Sequence, residues 1–489
     1  MLAFIYGVLF SVASSGQPLV DHDVFALADT VKRPSRNKGF DSDSARGYLE
    51  VNRVIILGNK LTRNSIILRE LSLKKGDIIN EADLVFVLEK DQRKLFNLRL
   101  FNTVTLKPLN MANGVVDLLI EVDERWYTFP APIFQLSDRN FNEWWENYNH
   151  DFSRVNYGLK LYQYNVWGRN QTLTLIAQFG FQKRFEFQYR IPYIDKNQKQ
   201  GLIFELDFSE TKNVADSTIN HKLNFFKSEH VLRNTKGVGI TYTYRNNFYI
   251  QHRLKYEYRQ ANIDDTLQYL NPNYLGSERK QQEFDAVTYE FTSDHRDVTT
   301  YSLHGYQFNL RLKKFGIGLN QGLNKTEGSL SFAGFLDLKK NYFLSNLTFL
   351  YASTPDKLPY YNYGAMGYNR IFVRGYEVYV IEGPQFFLNK TTFKKKIFSK
   401  SWNVENSPIP QFNYFPLAIY LKAYTDFGYV NNYPAYADNS LNTLLTNKAI
   451  GGAGFGIDFV SAYDLVIRFE YTFTTQKQNG LFFHIKKEF

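Results

Sequence analysis

Two short stretches in the second half of the chain carry residues that could form a shielded ion pair. The stretch IFVRGYEVYV, residues 371–380, places Arg374 and Gly375 inside a strand-like run, and Asp426 lies in YTDFG, residues 424–428. A guanidinium can hold a carboxylate through two parallel hydrogen bonds, each worth about 1.5–3 kcal/mol. The glycine would permit a backbone bend. This chemistry is structural locking, although a surface turn with a solvated arginine is an open alternative.

Other polar groups give little support for an enzyme. The stretch GGAGFGIDF carries Gly452, Gly454 and Gly456 in a strand pattern without the spacing of a dinucleotide-binding loop, so we interpret these glycines as keeping one strand face small. The acidic residues within 121–124 are typical of a solvated strand end. The eight histidines lack close metal-ligand spacing, and the chain has no cysteine. We therefore predict no enzymatic activity, no cofactor and no metal.

The composition favours a membrane protein built from strands. Aromatic residues make up 17% of the chain, and beyond the amino-terminal run no segment has the about 18 consecutive apolar residues of a membrane helix. The formal net charge is +10, but the basic residues are dispersed, so we expect no nucleic-acid partner. Residues 1–16 are predicted to be a signal peptide, and the polar residues 17–47 a disordered linker.

Residues 48–127 are predicted to form a small α+β domain in the order strand, helix, helix, strand, strand. Thr62 is predicted to cap the first helix and Asn80 the second. The turn MANG separates two runs that alternate between apolar and polar residues, which predicts a closing hairpin. The domain therefore precedes the rest of the chain as a separate unit.

After the small domain, apolar residues recur with a period of two. In DLVIRFEYTF, for example, Ile467 and Phe469 alternate with Arg468 and Glu470. The pattern predicts a membrane β-barrel of about sixteen antiparallel strands, with residues 128–489 as the barrel domain. A soluble β-sandwich is the alternative, but sixteen aromatic-rich strands would overfill one core, whereas lipid accepts an apolar face. The strands are predicted near residues 154, 170, 184, 200, 219, 236, 249, 283, 303, 328, 341, 383, 415, 451, 464 and 480.

The alternating pattern also predicts which way Asp426 points. It shares its strand face with Tyr424 and Gly428, opposite the apolar Leu421 and Phe427. Because the apolar face meets lipid in a barrel, the face with Asp426 lines the lumen. Asp426 is therefore predicted to be accessible to a loop that folds inward.

The predicted strand order brings the arginine near this aspartate. Short turns fall at one rim, and the long segments 261–282 and 355–382 fall at the other, which is typical of outer-membrane barrels. The loop with Arg374 lies between the eleventh and twelfth predicted strands, and Asp426 lies on the thirteenth. A loop folded into the lumen could therefore reach the wall.

Several motifs resemble those of one family. LGNKLTRNSIILREL and RKLFNLRLFNTV resemble a POTRA (polypeptide-transport-associated) domain. VRGY followed by YTDFG, with DHRDVTTYSLHG at a turn, resembles the outer-membrane barrel-assembly superfamily, the bacterial surface antigen family of BamA/TamA-like insertases and two-partner secretion pores. The resemblance implies that the loop arginine locks to the wall aspartate. The implied lock comprises Val373, Arg374, Gly375, Tyr376, Asp426 and Gly428.

The resemblance also implies a location and a task. It implies a bacterial outer-membrane protein whose POTRA domain lies in the periplasm and receives extended client chains on a sheet edge. The candidate edge carries Phe101, Thr103 and Thr105, although a purely structural strand is an equal alternative. The leading hypothesis is an assembly factor that assists folding and insertion of β-barrel clients. The alternative is a pore that secretes a dedicated partner polypeptide, and a passive channel or surface-adhesion barrel is a third possibility.

Under the leading hypothesis, clients would pair at a seam between the two ends of the barrel sheet. The first strand is predicted at 154–166 and the last at 480–489, which carries Phe483, Ile485 and Phe489. A weakly paired seam can open, because an unsatisfied strand edge is a template for another strand. The expected partners are unfolded outer-membrane protein clients, outer-membrane lipid and lipopolysaccharide, and accessory assembly subunits.

Overall fold

The structure is a computed structural model, and it covers most of the small domain and the barrel. The predicted signal peptide 1–16 and all but the last residue of the predicted linker 17–47 lie outside the described residues, so both stay predictions. The described residues are 47–136, 144–145, 149–247, 249–297, 301–368, 371–403, 414–461 and 465–485.

A small α+β domain comes first and contains one four-stranded sheet. The strand order is β2-β1-β4-β3, in which β1 and β4 run parallel and the other neighbours run antiparallel. The predicted order of strands and helices is found, with the short strand β2 added before the second helix. As predicted, the side chain of Asn80 caps that helix, since it accepts the N–H of Ala82 at 3.0 Å. The elements are β1 (Tyr48–Leu57), α1 (Asn64–Glu70), β2 (Ile78–Asn80), α2 (Glu81–Asn97), β3 (Phe101–Ala112) and β4 (Val115–Glu124).

Sixteen strands among the described residues form a second sheet, the antiparallel wall of a β-barrel. Neighbours in the sheet follow the chain, apart from two short pairs that lie outside it, β10 with β11 and β18 with β19. Among the described helices, none is long and apolar enough to cross a membrane. The elements are β5 (Thr128–Leu136), β6 (Val155–Val166), β7 (Gln171–Gly180), β8 (Gln182–Ile191), β9 (Gln200–Thr211), β10 (Asn213–Ile219), β11 (Lys222–Lys227), β12 (Arg233–Arg245), β13 (Ile250–Ile263), α3 (Asp265–Leu270), β14 (Gln281–Asp294), β15 (Gly305–Gln321), β16 (Lys325–Asp337), β17 (Tyr342–Thr354), β18 (Ala365–Met366), β19 (Ile381–Glu382), β20 (Gln385–Asn403), β21 (Tyr414–Val430), α4 (Pro434–Ala437), β22 (Ala449–Ser461), β23 (Val466–Thr474) and β24 (Asn479–Ile485), with 3-10 turns at Phe152–Arg154 and Tyr360–Asn362.

The predicted number of barrel strands is confirmed, but two of the assignments are wrong. The segment near residue 219 forms the hairpin of β10 and β11 outside the barrel sheet, because alternation predicts a strand without identifying its sheet. The first barrel strand is β5, and the segment 154–166 predicted for that place corresponds to β6, the second strand. β5 was not predicted because it contains Pro130 and Pro132, and proline argues against a strand in the middle of a sheet.

Side-chain exposure alternates along the barrel strands as the sequence predicts. On β21, Leu421 and Phe427 are 47% and 46% exposed on the outer face, whereas Tyr424 and Asp426 are buried inside. The chain enters β5 from the small domain, so one end of the barrel is the POTRA rim and the other is the far rim. The long segments before β14 and before β20 both lie at the far rim.

The small domain contacts the barrel at the turn between β6 and β7. The side-chain amide of Asn165 donates to Oγ1 of Thr62 at 2.8 Å, and the backbone N–H of Arg63 donates to the carbonyl of Gly168 at 3.0 Å. The prediction that Thr62 caps α1 is therefore wrong, because Arg63 precedes that helix and the Thr62 hydroxyl lies 3.0 Å from that of Tyr127. Thr62 thus ties the domain to the barrel.

Candidate functional site: a loop locked into the barrel lumen

The loop between β17 and β20 folds back into the barrel lumen from the far rim. Its two arms pair through β18 and β19, where Met366 lies opposite Ile381. The tip turns at Gly375, whose φ of +91° is a conformation that residues with side chains rarely adopt. A Cβ there would also lie 2.4 Å from Cγ2 of Thr474. Glycine is therefore required at the tip by both conformation and space.

Arg374 and Asp426, which the sequence placed on a loop and on the wall, lie in direct contact. Nε of Arg374 donates to Oδ2 of Asp426 at 2.9 Å, and Nη2 lies 2.5 Å from Oδ1. The backbone N–H of Arg374 also donates to Oδ2 at 2.9 Å. The two residues are 4% and 3% exposed, so water does not screen the pair. The geometry is the bidentate grip that fixes a guanidinium in one orientation.

Three further contacts extend this grip to neighbouring strands. Nη2 of Arg374 donates to the hydroxyl of Thr392 on β20 at 3.0 Å. Nη1 lies 3.4 Å from Oε1 of Glu470 on β23. The guanidinium carbon lies 3.8 Å from the ring centre of Tyr424 on β21, which adds a cation–π contact. One arginine therefore joins the loop to three strands of the wall.

Small residues on the wall make room for the loop. A Cβ on Gly428 would lie 2.6 Å from Cγ2 of Val373, and one on Gly452 would lie 2.0 Å from the carbonyl oxygen of Arg374. The hydroxyl of Tyr376 lies 2.8 Å from that of Thr475 and holds the other side of the tip. Gly452 thus leaves space for the loop backbone, whereas Gly454 and Gly456 leave space for side chains and backbone of the neighbouring strands β21 and β23.

Some of the lock residues were not identified as functional from the sequence. Glu470 was noted only as a polar residue of an alternating strand, and Lys422 was not singled out. In the structure Nζ of Lys422 lies 2.9 Å from Oε1 of Glu470, and both side chains are buried. Their charge could have identified both residues from the sequence, because ionisable residues at membrane depth are costly and usually functional.

Loops at the far rim pack over the locked tip and form what we call the far-rim cap. It comprises the β10–β11 hairpin, the segment 431–448 and the parts of the segment 355–384 on either side of the tip residues 373–376. The carbonyl of His221 in the hairpin accepts the N–H of Val380 at 2.7 Å, and Nε2 of His221 accepts the N–H of Leu445 at 2.9 Å. Three separate loops are therefore held at one buried histidine.

Burial changes the pKa of two groups in the far-rim cap. Burial, with a smaller contribution from the charge of Lys448, lowers the pKa of His221 to about 4. Burial also raises the pKa of Glu382 to about 7, although the Tyr436 hydroxyl donates to its carboxylate at 2.6 Å. The cap thus holds a histidine that resists protonation and a carboxyl that resists ionisation.

The other predicted site residues lie at two strand edges. Strand β3 is an edge of its sheet, but Phe101 is fully buried in the domain core, Thr103 is exposed and Thr105 is half-buried. Phe483 of β24 faces outward. Ile485 is the last described residue of that strand, and Phe489 lies outside the described residues. In the described ranges, no group of three or more His, Asp or Glu side chains is arranged to hold a metal ion.

Comparisons with solved structures show the same fold. BamA from Haemophilus ducreyi, in a crystal structure lacking POTRA domains 1–3, matches with a TM-score of 0.53 at 14% identity, over 89% of this chain and 83% of that one. CdiB from Acinetobacter baumannii matches with a TM-score of 0.51 at 12% identity, over 89% and 73%. CdiB from Escherichia coli matches with a TM-score of 0.55 at 11% identity, over 89% and 75%.

Comparisons of sequence give the family. A candidate outer membrane protein assembly factor of Treponema pallidum (strain Nichols) is 29% identical over 163 residues, which is 29% of this chain and 19% of that protein. Residues 49–125 match a POTRA model, described as a surface antigen variable number repeat. Residues 165–485 match the model of the Omp85 superfamily domain. The chain therefore belongs to the Omp85 superfamily of bacterial outer-membrane β-barrels, with a POTRA domain before its barrel.

Proposed function

We propose that this protein assists the folding and insertion of β-barrel clients into the bacterial outer membrane. In this proposal the POTRA domain lies in the periplasm, where unfolded clients arrive, and the far rim faces the cell exterior. Clients first add to the exposed edge of β3 and then reach the barrel. Outer-membrane lipid surrounds the apolar outer face, and accessory subunits bind beside the POTRA domain.

The observation that carries the proposal is the seam between the two ends of the barrel sheet. In the part of the chain that the structure describes, no ladder of hydrogen bonds joins β5 to β24. Every other neighbouring pair of barrel strands is joined by such a ladder. An unpaired edge inside a membrane is costly, and another strand can satisfy it.

The register of β5 identifies which of its backbone groups face this seam. The backbone N–H of Tyr164 donates to the carbonyl of Tyr127 at 2.7 Å, and Phe129 lies opposite Tyr162 in the same register. Hydrogen-bonded and non-hydrogen-bonded pairs alternate along an antiparallel ladder. The odd-numbered residues of β5 therefore bond to β6, and the even-numbered residues turn their backbone groups toward the seam.

Two of the seam-facing positions are prolines. Even-numbered positions run from Thr128 to Leu136, and Pro130 and Pro132 are among them. Proline has no N–H to donate, so its ring blocks two hydrogen bonds that would otherwise close the seam. The carbonyl groups remain as acceptors. We infer that this edge is kept weakly paired so that a client strand can compete for it, which moves the client-pairing strand from the predicted 154–166 to β5.

A pore for one dedicated partner polypeptide is the second candidate, and the polar lumen favours it. On the side of the lumen formed by β9 and β13, Lys255 lies 2.5 Å from Glu205, and Arg259 lies 3.2 Å from Asp207. Charged side chains along a lumen would suit the passage of an extended, hydrated polypeptide. The locked loop would then have to move before the partner could pass.

Depletion of the protein from its own cells, followed by quantitative proteomics of the outer membrane, separates the two candidates. An assembly factor predicts a broad loss of unrelated β-barrel proteins. Loss of one or a few exported proteins, with other barrels unchanged, would contradict the first candidate and favour the dedicated pore. A strain that keeps the protein but lacks an unrelated porin serves as the control for envelope stress.

A further inference from the structure

A second loop enters the lumen from the opposite end of the barrel. It connects β14 to β15 at the POTRA rim, and its Tyr301 is 3% exposed. The hydroxyl of Tyr301 donates to Oδ2 of Asp458 on β22 at 2.9 Å. Its ring lies 4.8 Å from that of Tyr420 and 4.4 Å from Nζ of Lys394. Tyr301 is therefore held by polar and aromatic contacts to three strands, β20, β21 and β22.

The loop around Tyr301 has its own support. The carboxylate of Asp297 accepts the backbone N–H of Leu303 at 3.0 Å, and the N–H of Asp297 donates to the carbonyl of His304 at 3.1 Å. The next residue, Ser302, is also buried. These contacts hold the loop so that the ring of Tyr301 faces the wall in one orientation. A turn exposed at the surface would not require them.

A chain of buried charges links this loop to the one that carries Arg374. Nη1 of Arg374 lies 3.4 Å from Oε1 of Glu470, and that oxygen lies 2.9 Å from Nζ of Lys422. The same Nζ lies 2.6 Å from Oδ1 of Asp458, whose other oxygen accepts the hydroxyl of Tyr301. Lys422 thus stands between two wall carboxylates, Glu470, which contacts the loop with Arg374, and Asp458, which contacts the loop with Tyr301.

We propose that Tyr301 is a second lock, which closes the POTRA end of the lumen, and that Lys422 couples it to the Arg374 lock. Withdrawal of Tyr301 removes a hydrogen bond from the buried carboxylate of Asp458, and withdrawal of Arg374 removes a positive charge from beside Glu470. Lys422 contacts both carboxylates, so either change alters the balance of its two contacts. Withdrawal of either loop therefore weakens the hold on the other, and the lumen opens from both ends together. The inference concerns the closed barrel and is independent of whether the open barrel inserts or exports clients.

The test measures channel openings of the full-length protein in planar lipid bilayers. Tyr301→Phe keeps the ring and removes only the hydroxyl, so we expect openings to become about tenfold more frequent or more, as for the loss of one hydrogen bond to a charged group. Tyr306→Phe is the matched control, because Tyr306 lies just beyond the same loop and stacks on His295. An opening frequency for Tyr301→Phe equal to that of Tyr306→Phe would overturn the second lock.

Coupling is tested by combining Tyr301→Phe with Arg374→Lys. If Lys422 couples the locks, the increase for the double variant is smaller than the product of the two single increases, and adding Lys422→Met removes this difference. Effects that multiply in the presence of Lys422 would overturn the coupling.

Because the chain has no cysteine, Ser302→Cys gives a second readout of the Tyr301 lock through maleimide labelling. Labelling should accelerate about tenfold with Tyr301→Phe, and an unchanged rate would contradict the lock.

Discussion

The wall that holds Arg374 and the seam between β5 and β24 differ in how completely their polar groups are paired. In the wall, the buried charges of Asp426, Lys422, Asp458 and Glu470 each have a partner of opposite charge within 2.9 Å. At the seam, proline rings remove backbone donors from the edge of β5, and no described ladder crosses to β24. The same barrel is thus fastened through side chains on one side and weakly closed through its backbone on the other.

This difference indicates where the barrel can open. Separating a buried ion pair leaves charges without partners and costs about 3–5 kcal/mol for each partner removed. Separating a strand edge costs about 0.5–1.5 kcal/mol for each hydrogen bond, and fewer bonds are available where proline lies. The seam should therefore part while the wall and its two loops stay in place.

The largest expected effect comes from breaking the wall. Arg374→Ala leaves Asp426 and Glu470 without their loop partner, so we expect a loss of about 3–5 kcal/mol in the free energy of unfolding. Denaturant titration in detergent micelles measures the loss, and bilayer conductance measures release of the loop.

Arg311→Ala is the control for this variant. Arg311 is a half-exposed lumen arginine on β15, and its Nε lies 3.4 Å from Oε1 of Glu290. Exposed pairs of this kind contribute about 1 kcal/mol or less. Equal destabilisation by Arg374→Ala and Arg311→Ala would mean that the wall is no more firmly fastened than the rest of the lumen.

The far-rim cap covers the locked wall and should respond to pH through two opposing groups. Since burial raises the pKa of Glu382 from 4.5 to about 7, the cap is most stable below pH 4.5 with respect to this group and loses stability as the pH rises toward 7. Since burial lowers the pKa of His221 from 6.5 to about 4, the cap loses stability with respect to this group as the pH falls from 6.5 toward 4. Each contribution is on the order of 3 kcal/mol.

Variants that remove one group at a time separate the two pH dependences of cap stability. With Glu382→Gln the histidine acts alone, so segment 355–384 should exchange its amide hydrogens faster, after correction for intrinsic rates, as the pH falls from 6.5 to 4.5. With His221→Gln the carboxyl acts alone, so exchange should slow over the same change. Hydrogen exchange with mass spectrometry measures both, and slopes of the same sign would contradict the assignment.

The smallest expected effect comes from closing the seam. Pro130→Val with Pro132→Val restores two donors on the free edge of β5, and each new hydrogen bond should add about 0.5–1.5 kcal/mol to the free energy of unfolding. Client assembly should slow at the same time, because a client strand must then displace β24. Leu136→Val is the control, since it changes a side chain on the same edge without adding a donor. Faster assembly in the proline variant would contradict the role of the seam.

The sequence predicted the lumen-facing side of the barrel better than its ends. Period-two alternation places Asp426 inside because the two faces of a strand meet lipid and lumen, and a single parity decides between them. Strand β5 was missed because Pro130 and Pro132 oppose a strand by propensity, whereas an edge strand tolerates them. The hairpin of β10 and β11 was assigned to the barrel because alternation describes a strand and not its neighbours.

Contacts across the lumen could not be predicted from the sequence. Arg374 is 96 residues from Glu470, and Tyr301 is 157 residues from Asp458. Which side chains lie at the same height in the lumen depends on the stagger of the strands and on how far each loop extends into the lumen. A single sequence states neither. The lock pair therefore came from motif resemblance, and the sequence identified the second loop only as the turn DHRDVTTYSLHG, so its contacts came from the structure.

The central claim, that clients pair with the free edge of β5, is tested most directly by a photocrosslinking residue on each of two neighbouring strands. Phe134 of β5 and Tyr157 of β6 lie opposite each other in register and are 68% and 56% exposed on the same face, so they differ mainly in distance from the seam. A client strand added to β5 would lie beside position 134, within about 5 Å between facing Cβ atoms, and one strand further from position 157. We predict that crosslinking during client assembly captures client polypeptide at position 134 and several-fold less at position 157. Equal capture at both positions, or capture at position 157 alone, would contradict the account.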